Sequence, residues 1–132
     1  MPALKPARDG DAGVDLRATE AVSLKPGERI LIPTGVAVAI PAGFAGFVQP
    51  RSGMAINKGL GLLNSPGLID SGYRGEIKVI AINLDSEILE IARGDRIAQL
   101  VILPVPACVY EEVETLPETQ RGAGGFGSTG RS

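Results

Sequence analysis

The chain has 132 residues, 44% of them apolar and 21% charged, with a formal net charge of −2; that suffices for one domain with a real core and argues against a surface built to neutralise a nucleic-acid backbone. Histidine is absent and Cys108 is the only cysteine, which excludes imidazole catalysis, histidine or multi-thiolate metal sites and internal disulfides. Aromatic residues are only 4% and tryptophan is missing, so the core has to be packed from Val, Ile, Leu and Ala.

Residues 1–11 mix Lys5, Arg8 and Asp9 with prolines and lack the apolar stretch of a signal peptide. No run approaches membrane-spanning length, so no membrane partner and a reducing, cytoplasmic compartment are the expectation. Eighteen glycines and ten prolines then punctuate the chain every few residues. The short apolar runs between them predict strands over 14–18, 20–24, 28–32, 35–40, 46–49, 60–63, 76–83, 87–91, 95–104 and 108–113. Many short strands at close spacing mean an all-β sandwich, barrel or jelly roll. The exception follows Arg51, where Ser52 can cap a short helix through Lys58 that Gly59 ends as a left-handed stop. Asn64-Ser65-Pro66-Gly67 is a turn signal, and 67–75 reads as the bend of a β-hairpin leading into the strand at 76–83. Val79-Ile80-Ala81-Ile82 and Leu100-Val101-Ile102-Leu103 are apolar on both faces, which suggests burial between sheets or at a subunit contact. After Gln120 the chain turns glycine-rich. Residues 1–120 therefore form the domain and 121–132 a flexible C-terminal arm or a disordered terminus.

Four groups of residues carry chemistry in their pattern. In Asp11-Ala12-Gly13-Val14-Asp15-Leu16 a glycine lets backbone approach closely beside carboxylates, and carboxylates without His or Cys suit a hard oxygen-seeking cation such as Mg²⁺. Pro50-Arg51-Ser52-Gly53 offers a guanidinium, a hydroxyl and free amides to an anion, or is simply an ordinary helix start with a solvated arginine. Asp70 and Tyr73 stand three residues apart among glycines, either setting turn geometry or holding a ligand. In the arm, Arg121-Gly122-Ala123-Gly124-Gly125-Phe126-Gly127-Ser128-Thr129-Gly130 resembles a phosphate-cradling loop, but Ser128 stands where a Walker lysine would be. Gln99, inside an apolar run, needs a partner for its amide: a structural bond, a ligand or a water.

Taken in order with Arg93-Gly94-Asp95-Arg96-Ile97-Ala98-Gln99-Leu100, these segments make the chain resemble the trimeric deoxyuridine triphosphatase (dUTPase) family over nearly its whole length. Val14 stands where many relatives carry an aromatic residue. The resemblance implies a jelly-roll-like distorted barrel that hydrolyses dUTP to dUMP and pyrophosphate with Mg²⁺, limiting uracil incorporation into DNA and supplying dUMP for thymidylate synthesis. It implies that Asp70 activates the water attacking the α-phosphate and that Tyr73 packs on the deoxyribose, leaving no room for a 2′-hydroxyl. By the same carry-over, Asn64 and main-chain groups near Leu68, Ile69 and Lys78 read uracil. Arg51, Ser52, Gly53 and Gln99 meet the phosphates, and Asp15 reaches Mg²⁺ through water. Arg121, Phe126, Gly127, Ser128 and Thr129 close over the substrate, Phe126 stacking on the base. A homotrimer with shared active sites and no nucleic-acid polymer as partner complete the expectation. Two rivals stand beside it: a dCTP deaminase of similar fold, and a non-catalytic jelly-roll module that binds nucleotide or protein.

Overall fold

The computed structural model describes residues 3–130. The chain runs β1 (Gly13–Arg17), β2 (Val22–Leu24), β3 (Arg29–Val36), β4 (Phe44–Gln49), α1 (Ser52–Lys58), β5 (Leu60–Leu62), β6 (Gly67–Ile69), β7 (Ile77–Asn83), β8 (Leu89–Ile91) and β9 (Arg96–Pro104). All pairs are antiparallel, in a four-stranded sheet of order β1-β9-β4-β6, a three-stranded sheet β3-β7-β5 and the pair β2-β8. The molecule is an all-β, jelly-roll-like distorted barrel with one short helix among the described residues.

Alternation in the strands decides what is inside. In β7, Ile77, Val79 and Ala81 are buried while Lys78 is exposed and Ile80 and Ile82 are half-buried. Leu16, Leu24, Ile32, Leu60, Ile91 and Ile97 join the inward residues of β7 with essentially no exposed surface. Burying each such side chain is worth about 1.5–3 kcal/mol, and branched aliphatics fill the interior without any aromatic ring. Of the two doubly apolar runs, the one in β9 is left partly uncovered, with Ile102 and Leu103 each more than 40% exposed, while Ile80 and Ile82 of β7 are half-buried.

Two polar side chains are buried among the described residues, Thr34 and Asn83, and Asn83 is the more fully bonded. Asn83, with no exposed surface, donates from Nδ2 to the carbonyls of Leu24 at 2.9 Å and Glu87 at 2.8 Å, and its Oδ1 accepts the Asp85 N–H at 2.9 Å. Its amide thereby ties the end of β2 to the turn between β7 and β8. Helix α1 ends as expected, with Gly59 left-handed at φ 65° and its amide bonded back to Ala55 and Met54 carbonyls. A Cβ there would lie 2.8 Å from the Asp85 nitrogen.

Four expectations are corrected. Residues 67–75 are not the bend of a hairpin: β6 pairs with β4 and β7 with β3 and β5, so the segment crosses from one sheet to another. The run 35–40 is not a strand of its own, because β3 continues to Val36 through an irregularity between Pro33 and Val36 that Gly35, at φ 69°, makes possible. Residues 108–113 form no strand, since no edge within the chain receives them; Val109 and Tyr110 are 96% and 94% exposed. Arg51, not Ser52, is the N-cap of α1, and no side chain caps the helix.

Replacing Asn83 with Ala strands two carbonyls and one amide in the interior. We expect a loss of about 3 kcal/mol in urea unfolding, against a change within about 0.5 kcal/mol for the exposed Lys25→Ala.

Candidate active site

The residues singled out in the sequence fall into three groups. The first is built by register: Asp15 on β1 lies directly across from Gln99 on β9, which lies across from Gln49 on β4. Residues paired across an antiparallel sheet project to the same face, so one polar row crosses the sheet and ends where β4 gives way to Pro50 and Arg51. Gln99 Nε2 donates to the Pro50 carbonyl at 3.0 Å, which answers the question of its partner with a structural bond that also fixes the entry to α1. Gly13 leaves room beside it: a Cβ there would stand 2.9 Å from Gln99 Oε1 and push the amide from its place.

Asp15, half-buried in this row, is gripped from both sides. Arg51 Nε lies 2.8 Å from Oδ1, and Arg96 Nη1 3.7 Å from Oδ2. The two guanidiniums, Ser52, Gly53, Gln99 and Asp11 line one cleft of about 380 Å³. Cations, a hydroxyl and unhindered amides around a cleft suit a polyanion, and the arginine forks can bind phosphate bidentately. Arg96 was not foreseen for this cleft. The skip in the β1–β9 ladder between Leu16–Ala98 and Arg17–Arg96 brings it to the side of Gln99, and no local window of the sequence carries that signal.

The second group surrounds a cleft of about 500 Å³ on the other side of the sheet crossing, lined by Leu68, Ile69, Asp70, Tyr73 and Lys78 among others. The loop is shaped by a turn in which the Tyr73 N–H donates to the Asp70 carbonyl at 3.0 Å, and by the Tyr73 hydroxyl, which donates to the Glu76 carbonyl at 2.9 Å. The ring lies over Gly75, where any Cβ would meet the phenol oxygen at 2.5 Å. Asp70 is exposed and takes part in none of the ion pairs found among the described residues. Asn64 is exposed at the head of this segment, its amide 3.4 Å from where a Cβ on Gly67 would stand. It does not line the cleft itself.

The third group is the arm. Arg121, Phe126, Gly127, Ser128 and Thr129 curl around a space of about 680 Å³, held by turns from Gly124 to Arg121, Ser128 to Gly125 and Gly130 to Gly127. Arg121 Nε donates to the Gly124 carbonyl at 2.6 Å. Phe126 is wholly exposed with a left-handed φ of 53°. Each of these bonds stays within the arm. Arg131 and Ser132, the last residues of the proposed arm, lie outside the described residues.

The three groups do not meet in one chain. Ile69 pairs with Gly46, so Asp70 emerges near Ala45, whereas Arg51 follows the opposite end of β4. Six residues of strand separate those levels, about 20 Å at the usual rise.

Comparison with known proteins fits this arrangement. The family model described as dUTPase matches residues 1–130. The deoxyuridine 5′-triphosphate nucleotidohydrolase of Leifsonia xyli is 55% identical over 125 residues, covering 94% of this chain and 82% of the relative. Its Corynebacterium glutamicum counterpart is 54% identical over 133 residues, covering 100% and 89%. Among solved structures, a variant dUTPase of Staphylococcus bacteriophage 80alpha with dUpNHpp superposes with a TM-score of 0.91 at 30% identity, over 98% of this chain and 92% of that one. A phage phi11 dUTPase variant, described with a structural Mg(II) ion, gives a TM-score of 0.79 at 29% identity, over 86% and 90%. With a family model spanning the fold and relatives above half identity over most of their length, the chain belongs to the dUTPase family.

Proposed function

We propose that the chain hydrolyses dUTP to dUMP and pyrophosphate in sites shared between copies of itself in a homotrimer. The observation that supports this reading most is the split of the candidate residues: one cleft suited to a nucleoside, another suited to a polyphosphate, and an arm whose side-chain bonds reach no further into the chain than Thr119. A dimer-or-larger assembly lets the nucleoside cleft of one copy face the phosphate cleft of another while a third segment, the arm, closes over both. The exposed apolar residues Ile102 and Leu103 of β9 offer a surface for such contact.

In this reading uracil is recognised by Asn64 and by main-chain groups near Leu68, Ile69 and Lys78, which reject a base with the wrong polar edge. Tyr73 lies against the sugar. Asp70, exposed and outside the ion pairs, is free to orient a water and take its proton as that water attacks the α-phosphate in line. Arg51, Ser52, Gly53 and Gln99 hold the phosphates, and developing charge on the leaving pyrophosphate is met by Arg51 and by Arg121, Ser128 and Thr129 of the arm with the Gly127 amide. Phe126 gains a partner by stacking on the base, which removes its exposed ring from water.

The donor set bears on the metal. Among the described residues no group of three or more His, Cys, Asp or Glu comes together, and the one carboxylate placed for the role, Asp15, already faces two guanidiniums. Such a site repels a bare cation but fits Mg²⁺ arriving with the triphosphate and keeping most of its waters. Bound there, the ion supplies charge neutralisation along the phosphates. Asp15 then holds Arg51 and accepts hydrogen bonds on the metal's side of the substrate.

No described helix is long and apolar enough to cross a membrane, and Cys108 is free and exposed, in keeping with the reducing cytoplasm. There the reaction would keep uracil out of DNA and supply dUMP for thymidylate synthesis.

Pyrophosphate release from dUTP, UTP, dTTP and dCTP with and without Mg²⁺ tests the class: we expect dUTP to be preferred at least about a hundredfold and to need the ion, while ammonia release from dCTP would replace this reading with deamination. Asp70→Asn is expected to bind dUTP normally and lose about a thousandfold in kcat. Mixed with an equally inactive Arg51→Ala chain and reassembled, it should recover about a quarter of the sites, because each shared site draws Asp70 and Arg51 from different copies; no recovery means that each chain carries its own site. Truncation after Gln120 should leave the assembly unchanged by light scattering and lower kcat/KM by at least about a hundredfold.

A further inference from the structure

We propose that Glu76 is a positioning residue for sugar selection, acting through Tyr73; the inference rests on the dUTP-hydrolysing reading above and concerns a residue to which that reading gives no role. Three observations converge on it. The Tyr73 hydroxyl, whose ring flanks the nucleoside cleft, donates to the Glu76 carbonyl at 2.9 Å. The Glu76 side chain turns the other way: Oε1 accepts the Gly35 N–H at 3.0 Å, across to β3. Its Oε2 lies 3.8 Å from Lys78 Nζ, and Lys78 lines the same cleft as Tyr73.

The geometry makes Glu76 a two-sided clamp. Gly35 sits at the irregularity of β3, at φ 69°, where the ladder with β7 skips from Pro33–Lys78 to Val36–Ile77. At that skip Thr34 Oγ1 bonds the Ile77 carbonyl, and the Gly35 amide is met by the Glu76 carboxylate. A charge-assisted bond from a backbone N–H holds its partner more firmly than a neutral one. Fixing the Glu76 side chain to β3 fixes the backbone just before β7, and with it the carbonyl that receives the tyrosine hydroxyl. Gly75, which lies between them, contributes no side chain and leaves the ring directly above the backbone. Ring height over the sugar therefore depends on where Glu76 is held. A ring that rejects a 2′-hydroxyl by contact has to be placed within a few tenths of an ångström. Without the clamp, the segment 70–76 has only its own turn bonds and the arginine contacts of Arg74 Nη1 to the Ser71 and Tyr73 carbonyls, all internal to the loop.

The test compares wild type, Glu76→Ala and Glu76→Gln in kcat and KM for dUTP and UTP. Removing the carboxylate is expected to cut the dUTP-over-UTP ratio of kcat/KM about tenfold, mostly by letting UTP in, with kcat on dUTP changed less than about threefold. Glu76→Gln keeps an acceptor for the Gly35 amide and should restore most of the ratio. Tyr73→Phe removes the hydroxyl that reads the clamp, so adding Glu76→Ala to it should change the ratio little further. An unchanged ratio in Glu76→Ala, equal losses on both substrates, or additive effects in the double variant would overturn the proposal. Glu76→Gln keeps it testable should Glu76→Ala fail to fold: a ratio fallen as far as in Tyr73→Phe, despite the retained acceptor, counts against it. Should wild type itself fail to prefer dUTP over UTP, the functional reading fails instead, and the two failures are told apart by that first measurement.

Discussion

Strand β9 is the part on which the rest depends. It is paired along its length with β1 on one side and β4 on the other, while Ile97, Ala98 and Leu100 press into the core. Ala98 and Leu100 alternate inward and leave Gln99 between them facing the cleft, while the ladder with β1 skips Ile97 between Leu16–Ala98 and Arg17–Arg96, so that Ile97 is buried beside Ala98 and Arg96 comes round to the side of Gln99. A slip of one residue would bury the glutamine and expose the aliphatics. The polar row Asp15–Gln99–Gln49 is thus a by-product of core packing, held in place by free energy spent mostly on apolar burial.

From that row the arginine-lined cleft follows almost without further instruction. Gln99 holds the Pro50 carbonyl and so the start of α1, and Asp15 holds Arg51, the cap of that helix. The cleft beside Asp70 and Tyr73 is organised differently. It hangs from a crossing between two sheets, shaped by the turn at Asp70 and by the tyrosine lying over Gly75, and it borrows its rigidity from β3 through Glu76. One cleft is fixed by register and the other by side-chain bonds to a neighbouring strand.

Much of this was legible in the sequence, and the pattern of success has a physical basis. The glycine-free apolar runs at 76–83 and 95–104 located β7 and β9 within a residue, because β-branched stretches of that length bounded by turn residues favour strand. Gly59 announced its left-handed turn. What could not be read was pairing. Residues 67–75 carry every local mark of a hairpin, yet their two flanking strands belong to different sheets, a matter decided by long-range partners that no local window contains. The same holds for 108–113, whose apolar residues resemble a strand but find no edge in their own chain. Among the residues that line the two clefts, Asp15, Arg51, Asp70 and Tyr73 draw notice by local pattern, whereas Arg96 and Glu76 stand out only by what they touch across the fold. The cap of α1 was misplaced because a serine at its first turn looks like a cap by propensity, whereas Arg51 has the extended backbone, at φ −102° and ψ 131°, that a cap needs.

The pairing of Asp15 with two arginines has a further consequence for binding. Counted over the cleft, Arg51 and Arg96 are balanced by Asp15 and Asp11, and the whole chain carries a net charge of −2. A polyanion approaching this cleft of one chain therefore meets little long-range attraction, so added salt has little to screen there and holding the anion depends on short-range hydrogen bonding.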